Sequence, residues 1–309
     1  MTRVLVTGAT GFVGRPLVAR LAAAGHAIRA VVRRRPAPPL PAGVELALQP
    51  DLAEPIAWEP LLSGVDIIVH LAGIAHAGAG ITQARYDQVN HQATAALAAA
   101  AQRAGVRHFV FVSSVRAQSG PAAGHVLTER DDPLPSDAYG RSKLAAEAAV
   151  ATAGVPFTIL RPVLIYGPGL KGNLGTLARL ASRPFPLPFG AFANRRSLLG
   201  IDNFADAMMF VLSHPATHEV FLVADPKPVS LAEIIAAFRA GLGREPGLFS
   251  VSPRLIEGAA RLLGGAALWE RIGGELVVDP AKLVAAGWSP AADTKAALKK
   301  CVQAPRRNA

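Results

Sequence analysis

The chain has 309 residues and a formal net charge of +10, with 51% hydrophobic and 17% charged residues. This predicts a compact α/β protein with one large domain or two joined domains around a well-buried core. The basic residues form no long helical stripe interleaved with aromatics, which argues against nucleic acid and leaves an anionic cofactor and substrate to explain the charge. One cysteine, Cys301, excludes an intramolecular disulfide and a cysteine-built metal site, and we expect no metal.

The N-terminus enters a predicted strand instead of a charged segment followed by an apolar core and a cleavage site. No apolar stretch reaches the roughly 18 to 20 residues that a spanning helix needs. We therefore expect a cytoplasmic protein that does not bind a membrane.

Short β-branched runs alternate with long alanine-rich stretches, which predicts an α/β fold with a doubly wound parallel sheet of the Rossmann type. The predicted strands are Arg3 to Val6, Ala27 to Val32, Val44 to Leu48, Ile67 to His70, Phe109 to Ser113 and Phe157 to Arg161. The predicted helices are Gly14 to Ala24, Ala84 to Ala104 and Tyr139 to Ala153. The proline-rich segment from Arg35 to Pro41 can continue neither a helix nor a central strand, so it is predicted to be a surface loop.

After Gly167-Pro168-Gly169 the alternation lapses into a proline-rich passage at 183–188 and later into a helical C-terminal part. This change predicts a smaller, mostly helical substrate lobe. We assign residues 1–168 and 197–226 to the dinucleotide-binding domain, and residues 169–196 and 227–309 to the substrate-binding lobe.

A glycine cluster directly follows the first predicted strand and opens a helix. Glycines in such a turn allow a tight bend and let a pyrophosphate approach the helix N-terminus, where free N–H groups and the helix dipole favour anions. The cluster therefore predicts a dinucleotide site that includes Gly8, Gly11, Phe12, Val13 and Gly14.

Ser114 closes a predicted strand, while Tyr139 and Lys143 are four residues apart and share one face of a predicted helix. A free phenol has a pKa of about 10 and exchanges protons poorly near neutrality unless a nearby cation favours the phenolate. We expect Lys143 to be that cation, Tyr139 to be the general acid or base toward a substrate oxygen, and Ser114 to hold that oxygen.

In this order, the glycine cluster, Ser114 and the Tyr139–Lys143 pair resemble the nucleotide-sugar epimerase and dehydratase family of extended short-chain dehydrogenases/reductases. The resemblance covers nearly the whole chain. It implies that the backbone of Leu71, Ala72 and Gly73 lines the cofactor and that Asp51 and Leu52 bind at the adenine. It gives Asn90 a structural role.

The same resemblance concerns the substrate and the quaternary structure. Asn173 matches a residue that hydrogen-bonds a diphosphate sugar, and Arg196 matches an arginine that pairs with the substrate diphosphate. Both positions imply a UDP-sugar as the partner. The family also forms dimers through helices such as the one carrying Tyr139, so a homodimer is a further expectation, although the apolar 93–104 face could equally be buried on the sheet.

The choice between NAD and NADP depends on the end of the second strand. Val32 stands where an acid would bind the ribose 2′-hydroxyl of NAD, and Arg33-Arg34-Arg35 follows. A valine cannot accept that hydrogen bond, whereas a guanidinium can neutralise a 2′-phosphate. We therefore expect NADP in preference to NAD, with Arg33 at the cofactor.

The turn after Ser114 departs from the family in two ways. It lacks the acidic pair of sugar dehydratases, and Gln118-Ser119-Gly120 replaces the usual Tyr-Gly, as in a subgroup of bacterial UDP-sugar 4-epimerases and 4-keto-sugar reductases. The main expectation is an oxidoreductase that reduces the C4 ketone of a UDP-linked hexose. The alternatives are a UDP-sugar 4-epimerase with retained NAD, a catalytically silent dinucleotide-sensing protein, and a reductase of an apolar ketone.

Overall fold

A computed structural model describes residues 2–34, 39–75, 80–170, 172–214, 216–262 and 274–303, and of residues 259–261 only the backbone. Residues 35–38, which include Arg35 of the arginine run and the first part of the predicted proline-rich loop, lie outside the described residues. The rest of that loop, from Pro39 to Pro41, has no regular secondary structure.

Eleven strands are present in the described part of the chain. They are β1 Arg3–Thr7, β2 Ala27–Val32, β3 Glu45–Leu48, β4 Ile67–His70, β5 His108–Val112, β6 Phe157–Pro162, β7 Leu164–Tyr166, β8 Arg195–Arg196, β9 Leu198–Gly200, β10 Glu219–Val223 and β11 Val229–Ser230.

Seven strands form one sheet in the order β10-β6-β5-β4-β1-β2-β3. The pairs from β3 through to β6 are parallel. From β1 the chain first builds outward to β2 and β3 and then returns to build β4, β5 and β6 on the other side. This reversal confirms the doubly wound sheet, in which ligands bind outside the carboxyl ends of the strands near the reversal.

The α-helices of the described residues lie between and after these strands. They are α1 Gly14–Ala23, α2 Glu59–Leu62, α3 Gln83–Tyr86, α4 Ala93–Arg103, α5 Ala138–Thr152, α6 Gly172–Ala181, α7 Ile201–Ser213, α8 Leu231–Gly241, α9 Pro253–Leu262, α10 Ala281–Ala285 and α11 Thr294–Val302. A π-helical turn, Asp87–Gln92, and a 3₁₀ turn, Val115–Ala117, complete the list.

The π-helical turn corrects one sequence expectation. The stretch from Ala84 to Ala104 was expected to be one continuous helix, but the π turn separates α3 from α4. Residues with good helix propensity fill both flanks, so propensity alone gives no sign of the extra residue in this turn. Such turns are frequent at functional sites.

Burial on both faces of the sheet explains the unbroken apolar runs of its central strands. Val4, Leu5 and Val6 of β1 are fully buried, as strands covered by helices on both faces must be. On α4, Leu97 and Ala98 belong to the same apolar cluster, so the alanine-rich face packs within a single chain. That observation removes the apolar-face argument for a dimer.

The chain divides into two compact units. The first comprises residues 1–120, 129–162 and 205–222, and the second comprises 121–128, 163–204 and 223–309. The assignment of dinucleotide and substrate to separate parts of the chain stays a prediction.

The second unit has its own core, in which Tyr166 of β7 and Asp225 are both buried. The Asp225 carboxylate accepts hydrogen bonds from the Tyr166 hydroxyl at 2.8 Å, the Gly200 amide at 3.0 Å and the Asn203 side chain at 2.7 Å. These bonds hold β7, β9 and α7 together. Among the described residues, no helix combines the length and the apolar character that crossing a membrane requires.

Candidate active site

The glycine turn between β1 and α1 has the close backbone packing that the sequence predicts. Gly8 has a φ of +69°, and its carbonyl accepts from the Gly11 amide at 2.9 Å. A Cβ on Gly14 would lie 2.1 Å from the Gly8 carbonyl oxygen, and a Cβ on Gly8 would lie 2.9 Å from the Ala72 nitrogen. Side chains at these positions would therefore displace backbone.

The start of α1 suits an anion. Val13 occupies the N-cap and makes no side-chain hydrogen bond to the first helical turn. The positive end of the helix dipole and the first-turn amides are therefore directed at the turn, where a pyrophosphate binds in proteins of this architecture. Phe12, in the middle of the turn, exposes 45% of its surface. The residues present thus fit a dinucleotide.

A buried chain of hydrogen bonds between uncharged groups supports the segment after β4. The Thr7 hydroxyl accepts from the Ala72 amide at 3.2 Å and lies 2.7 Å from His70 Nδ1. On the other side of the ring, Nε2 lies 2.9 Å from the Thr94 hydroxyl, which donates to the Asn90 carbonyl at 2.6 Å. This order assigns the proton to Nε2. Burial lowers the pKa of His70 to about 3, so the ring is neutral.

Asn90, in the π turn, fixes the same segment with its side chain. Its Oδ1 accepts from the Ile74 amide at 2.7 Å, and its Nδ2 donates to the Ile74 carbonyl at 3.0 Å and to the Ser142 hydroxyl at 3.1 Å. A Cβ on Gly73 would lie 2.8 Å from Asn90 Oδ1 and 3.8 Å from Lys143 Nζ. The π turn therefore connects the predicted cofactor-lining backbone to α5.

The residues predicted at the adenine and the ribose form one exposed cluster. Arg33 lies 3.4 Å and Arg85 lies 3.2 Å from opposite oxygens of Asp51. The Ala53 amide also donates to Asp51 at 3.0 Å, and this bond, with the two guanidinium charges, lowers the pKa of the carboxyl group. Leu52 beside it is buried. The arginine expected at a 2′-phosphate and the acid expected at adenine are thus partners of each other.

Ser114, Tyr139 and Lys143 come together at the carboxyl end of β5. Asp137 caps α5 by accepting from the Gly140 amide at 2.7 Å, which sets the start of the helix that carries Tyr139 and Lys143. Ser114 caps the following 3₁₀ turn, and its side chain is hydrogen-bonded to Tyr139. The tyrosine and serine therefore share one polar centre, as the sequence predicts.

Lys143, one helical turn beyond Tyr139, contacts β5. Its Nζ donates to the Val112 carbonyl at 2.9 Å and lies 4.7 Å above the Phe111 ring. Burial raises the pKa of Tyr139 to about 12, against the hydrogen bond from Ser114, and burial lowers the pKa of Lys143 to about 8. The expectation that the phenol has a lowered pKa is therefore wrong for this structure, because burial disfavours the charged phenolate more than the hydrogen bond from Ser114 and the charge of Arg116 favour it.

The two predicted substrate residues belong to the second unit. Asn173 is the second residue of α6 and is half-buried. Arg196 of β8 donates from Nη1 to the Gly274 carbonyl at 2.6 Å and from Nη2 to the Pro121 carbonyl at 3.2 Å. Lys171, two residues before Asn173, lies outside the described residues.

Sequence reasoning missed four charged side chains around α5. Arg116 pairs with Asp137, and Glu147 pairs with Arg161. For Glu147 a signal was present, because it is four residues beyond Lys143 and therefore on the same helix face. Arg116 and Arg161 come from other elements, and only the folded register brings them to α5.

A doubly wound sheet with a glycine turn and a Ser–Tyr–Lys centre defines the class of dinucleotide-dependent short-chain dehydrogenases/reductases. The chain matches the model of the NAD dependent epimerase/dehydratase family over residues 4–224. The protein belongs to this family, and the expected enzyme class is confirmed at that level.

Three similar proteins span different chemistries. The UDP-glucose 4-epimerase of Vibrio cholerae is 32% identical over 313 residues, which cover 97% of this chain and 94% of that protein. The ceramide reductase of Caulobacter vibrioides is 36% identical over 203 residues, or 65% of this chain and 58% of that protein. The structure of MoeE5 in complex with UDP-glucuronic acid and NAD has a TM-score of 0.76 at 26% identity and covers 97% of both chains.

Proposed function

We propose that this protein is a 4-epimerase of UDP-linked sugars that retains NAD. The observation that carries the proposal is the likeness to a UDP-glucose 4-epimerase over nearly the full length of both chains. The Ser114–Tyr139 hydrogen bond supports it, because a C4 hydroxyl needs a proton acceptor and a group that orients its oxygen.

Bound NAD supplies an acceptor and a donor of hydride, so that oxidation and reduction at C4 cancel over one turnover. Tyr139 takes the proton from the C4 hydroxyl as the carbon is oxidised and returns it when the opposite face is reduced. Ser114 holds the C4 oxygen in both half-reactions. Lys143 is held close to Gly73 and the Val112 carbonyl, where its ammonium can bind the cofactor ribose.

In this proposal each of the two units binds one ligand. The first unit, through the glycine turn, the backbone of Leu71–Gly73, and Asp51 with Leu52, binds the dinucleotide. The second unit, through Asn173 and Arg196, binds the UDP diphosphate, since a guanidinium offers a rigid fork of donors to phosphate oxygens. To bind the diphosphate, Arg196 gives up a hydrogen bond to a backbone carbonyl and donates to a phosphate oxygen instead.

NAD replaces NADP as the preferred cofactor in this proposal. MoeE5, similar over its whole length, was solved with NAD, and no similar protein described above supports a preference for NADP. In this chain Arg33 already has Asp51 as a partner, which gives the guanidinium a role without a 2′-phosphate. Arg33 then serves the adenine side by fixing Asp51.

Two alternative activities are each favoured by one specific observation. A net reductase of 4-keto-sugars fits Val32 followed by arginines, because NADPH must then bind and leave in each turnover. A reductase of an apolar ketone fits the similarity to ceramide reductase. In the second case the diphosphate-binding role of Asn173 and Arg196 would be lost.

The first experiment identifies the nucleotide released from freshly purified protein and then incubates the protein with UDP-glucose, without added cofactor, to measure UDP-galactose. We expect tightly held NAD and a reversible approach to equilibrium. An empty protein that prefers NADPH and consumes it with a UDP-4-keto-sugar would replace the proposal with the reductase. Failure to bind UDP would replace it with the apolar ketone.

A further inference from the structure

A buried ion pair joins α5 to β6 close to the Ser114–Tyr139 centre. Its carboxylate, Glu147, is four residues beyond Lys143 on the α5 face that also carries Tyr139. Arg161 of β6 binds Glu147 of α5 at 2.6 Å from Nη2 and at 3.0 and 3.2 Å from Nε. The two side chains expose only 7% and 5% of their surfaces. Burial of this kind requires every polar atom to be satisfied, and the remaining Arg161 donor, Nη1, reaches Gln118 Oε1 at 2.9 Å.

The pair fixes the strand end that precedes Ser114. The Ser113 hydroxyl donates to Glu147 Oε1, and the Ser113 amide donates to the Leu160 carbonyl at 2.8 Å. Ser113 is therefore held by the helix through its side chain and by β6 through its backbone. Because Ser114 is the next residue, these two bonds limit how far its hydroxyl can move relative to Tyr139.

The same carboxylate affects Lys143, one helical turn away. The Lys143 ammonium donates to the carbonyl of Val112, the residue before Ser113. Burial depresses the pKa of Lys143, and the negative charge of Glu147 opposes that depression. The Glu147 carboxylate thus accepts a hydrogen bond from Ser113, beside Ser114, and stabilises the charged form of Lys143.

We propose that Glu147 and Arg161 are positioning residues of this active site, which hold the Ser113–Ser114 segment after β5 against α5 and keep Lys143 in place as an ammonium. The inference rests on the proposed function for its kinetic consequence, but its electrostatic consequence can be measured without substrate. Neither residue touches the reacting atoms.

Other titratable groups also surround Lys143 and must be considered. His70 at the end of β4 and Tyr139 on α5 are both neutral near pH 7, since their pKa values are about 3 and about 12. Arg161 on β6 is a cation whose partner is Glu147. Three further groups act on the phenol: Asp137 at the start of α5, Tyr86 of α3 and Arg116 of the 3₁₀ turn. Glu147 is the anion that this set supplies to Lys143.

The decisive experiment measures the titration of Lys143 directly. The chain contains seven lysines, so labelling the lysine side chains with ¹³C gives a small set of NMR signals, and Lys143→Arg identifies the one that belongs to Lys143. We expect a midpoint near pH 8 in the unaltered protein. Glu147→Gln removes the charge with little change of shape and should move the midpoint to lower pH. If the titration midpoint of Lys143 is the same in Glu147→Gln as in the unaltered protein, the proposal that Glu147 stabilises the Lys143 ammonium is wrong.

Kinetics test the positioning part with a matched control. Glu147→Gln and Ser113→Ala should each lower kcat by tenfold or more, leave KM for the UDP-sugar within about threefold, and in Glu147→Gln shift the alkaline limb of the kcat profile to lower pH. The control is Glu59→Gln, which breaks the exposed pair with Arg103 in the same unit. If Ser113→Ala, the mildest change, retains the kcat of the control, the positioning part is wrong.

The two proposals fail separately in this design. An unaltered protein that does not epimerise UDP-sugars would end the proposed function, while a shifted Lys143 midpoint in Glu147→Gln would still support the link between Glu147 and Lys143. If Glu147→Gln does not fold, Ser113→Ala still measures the positioning role, because it leaves the ion pair intact.

Discussion

Two regions at the carboxyl end of the sheet are built from opposite kinds of groups. Around β1 and β4, backbone amides, glycines and the neutral chain of Thr7, His70, Thr94 and Asn90 shape the dinucleotide turn. Around β5, β6 and α5, buried or half-buried charges surround the Ser114–Tyr139 centre, with Glu147 against Arg161 as the most deeply buried pair.

The difference fits the function that we propose for each region. A dinucleotide brings its own charge, so the protein needs only oriented dipoles and room for the pyrophosphate. A proton transfer creates or removes charge on the protein itself, so fixed charges must be present before the reaction. Changes to the first region should therefore weaken structure and cofactor binding, while changes to the second should weaken catalysis.

The largest expected effect comes from removing the proton carrier in the charged region. Tyr139→Phe keeps the ring and should lower kcat by about 10² to 10⁴-fold, the usual contribution of a general acid or base. Nucleotide content should stay that of the unaltered protein. Turnover in Tyr139→Phe equal to that of the unaltered protein would remove Tyr139 from the mechanism.

The next effect concerns stability in the same region. Glu147→Leu leaves the Arg161 guanidinium buried without its anion, which should lower the free energy of unfolding by about 3–5 kcal/mol. Adding Arg161→Met removes the stranded charge and should restore much of that stability. Activity should not return with it, because the charge beside Lys143 is still missing. Urea unfolding and kcat, measured on both variants, separate these outcomes, and recovery of kcat in the double variant would contradict the positioning role.

The smallest effect is expected in the neutral region. Thr94→Val keeps the branched shape in α4 but leaves the His70 Nε2 proton without an acceptor, which should cost about 1–3 kcal/mol of unfolding free energy. Turnover should fall much less than in Tyr139→Phe. Should stability be unchanged while kcat drops by orders of magnitude, the neutral chain would belong to the reaction centre and the contrast between the regions would fail.

Sequence reasoning succeeded where one local pattern sets one local structure. The bounds of β2 and β4 were predicted to the residue, and the glycine turn and the grouping of Ser114, Tyr139 and Lys143 followed from strand ends and helix spacing. These features depend on neighbours within a few residues, or on strands that all end at the same edge.

Sequence reasoning failed where the local structure depends on contacts between residues that are far apart in the sequence. The ion pair of Glu147 and Arg161 depends on the register between α5 and β6, and the pairing of Arg33 with Asp51 depends on where two loops meet. The pKa of Tyr139 could not be predicted because spacing reveals a neighbouring cation but not the depth of burial, which in this structure has the larger effect.

The spacing of Tyr139, Lys143 and Glu147 also bears on how this enzyme could acquire a new substrate. Each step of four residues turns about 40° beyond a full helical turn, so the three side chains fan out toward Ser114, the Val112 carbonyl and Arg161 in succession. Any roll of α5 that widened the space at the phenol would break contacts with both strands. Natural or laboratory evolution of specificity should therefore leave this helix unaltered and act through side chains that contact neither α5 nor the ends of β5 and β6.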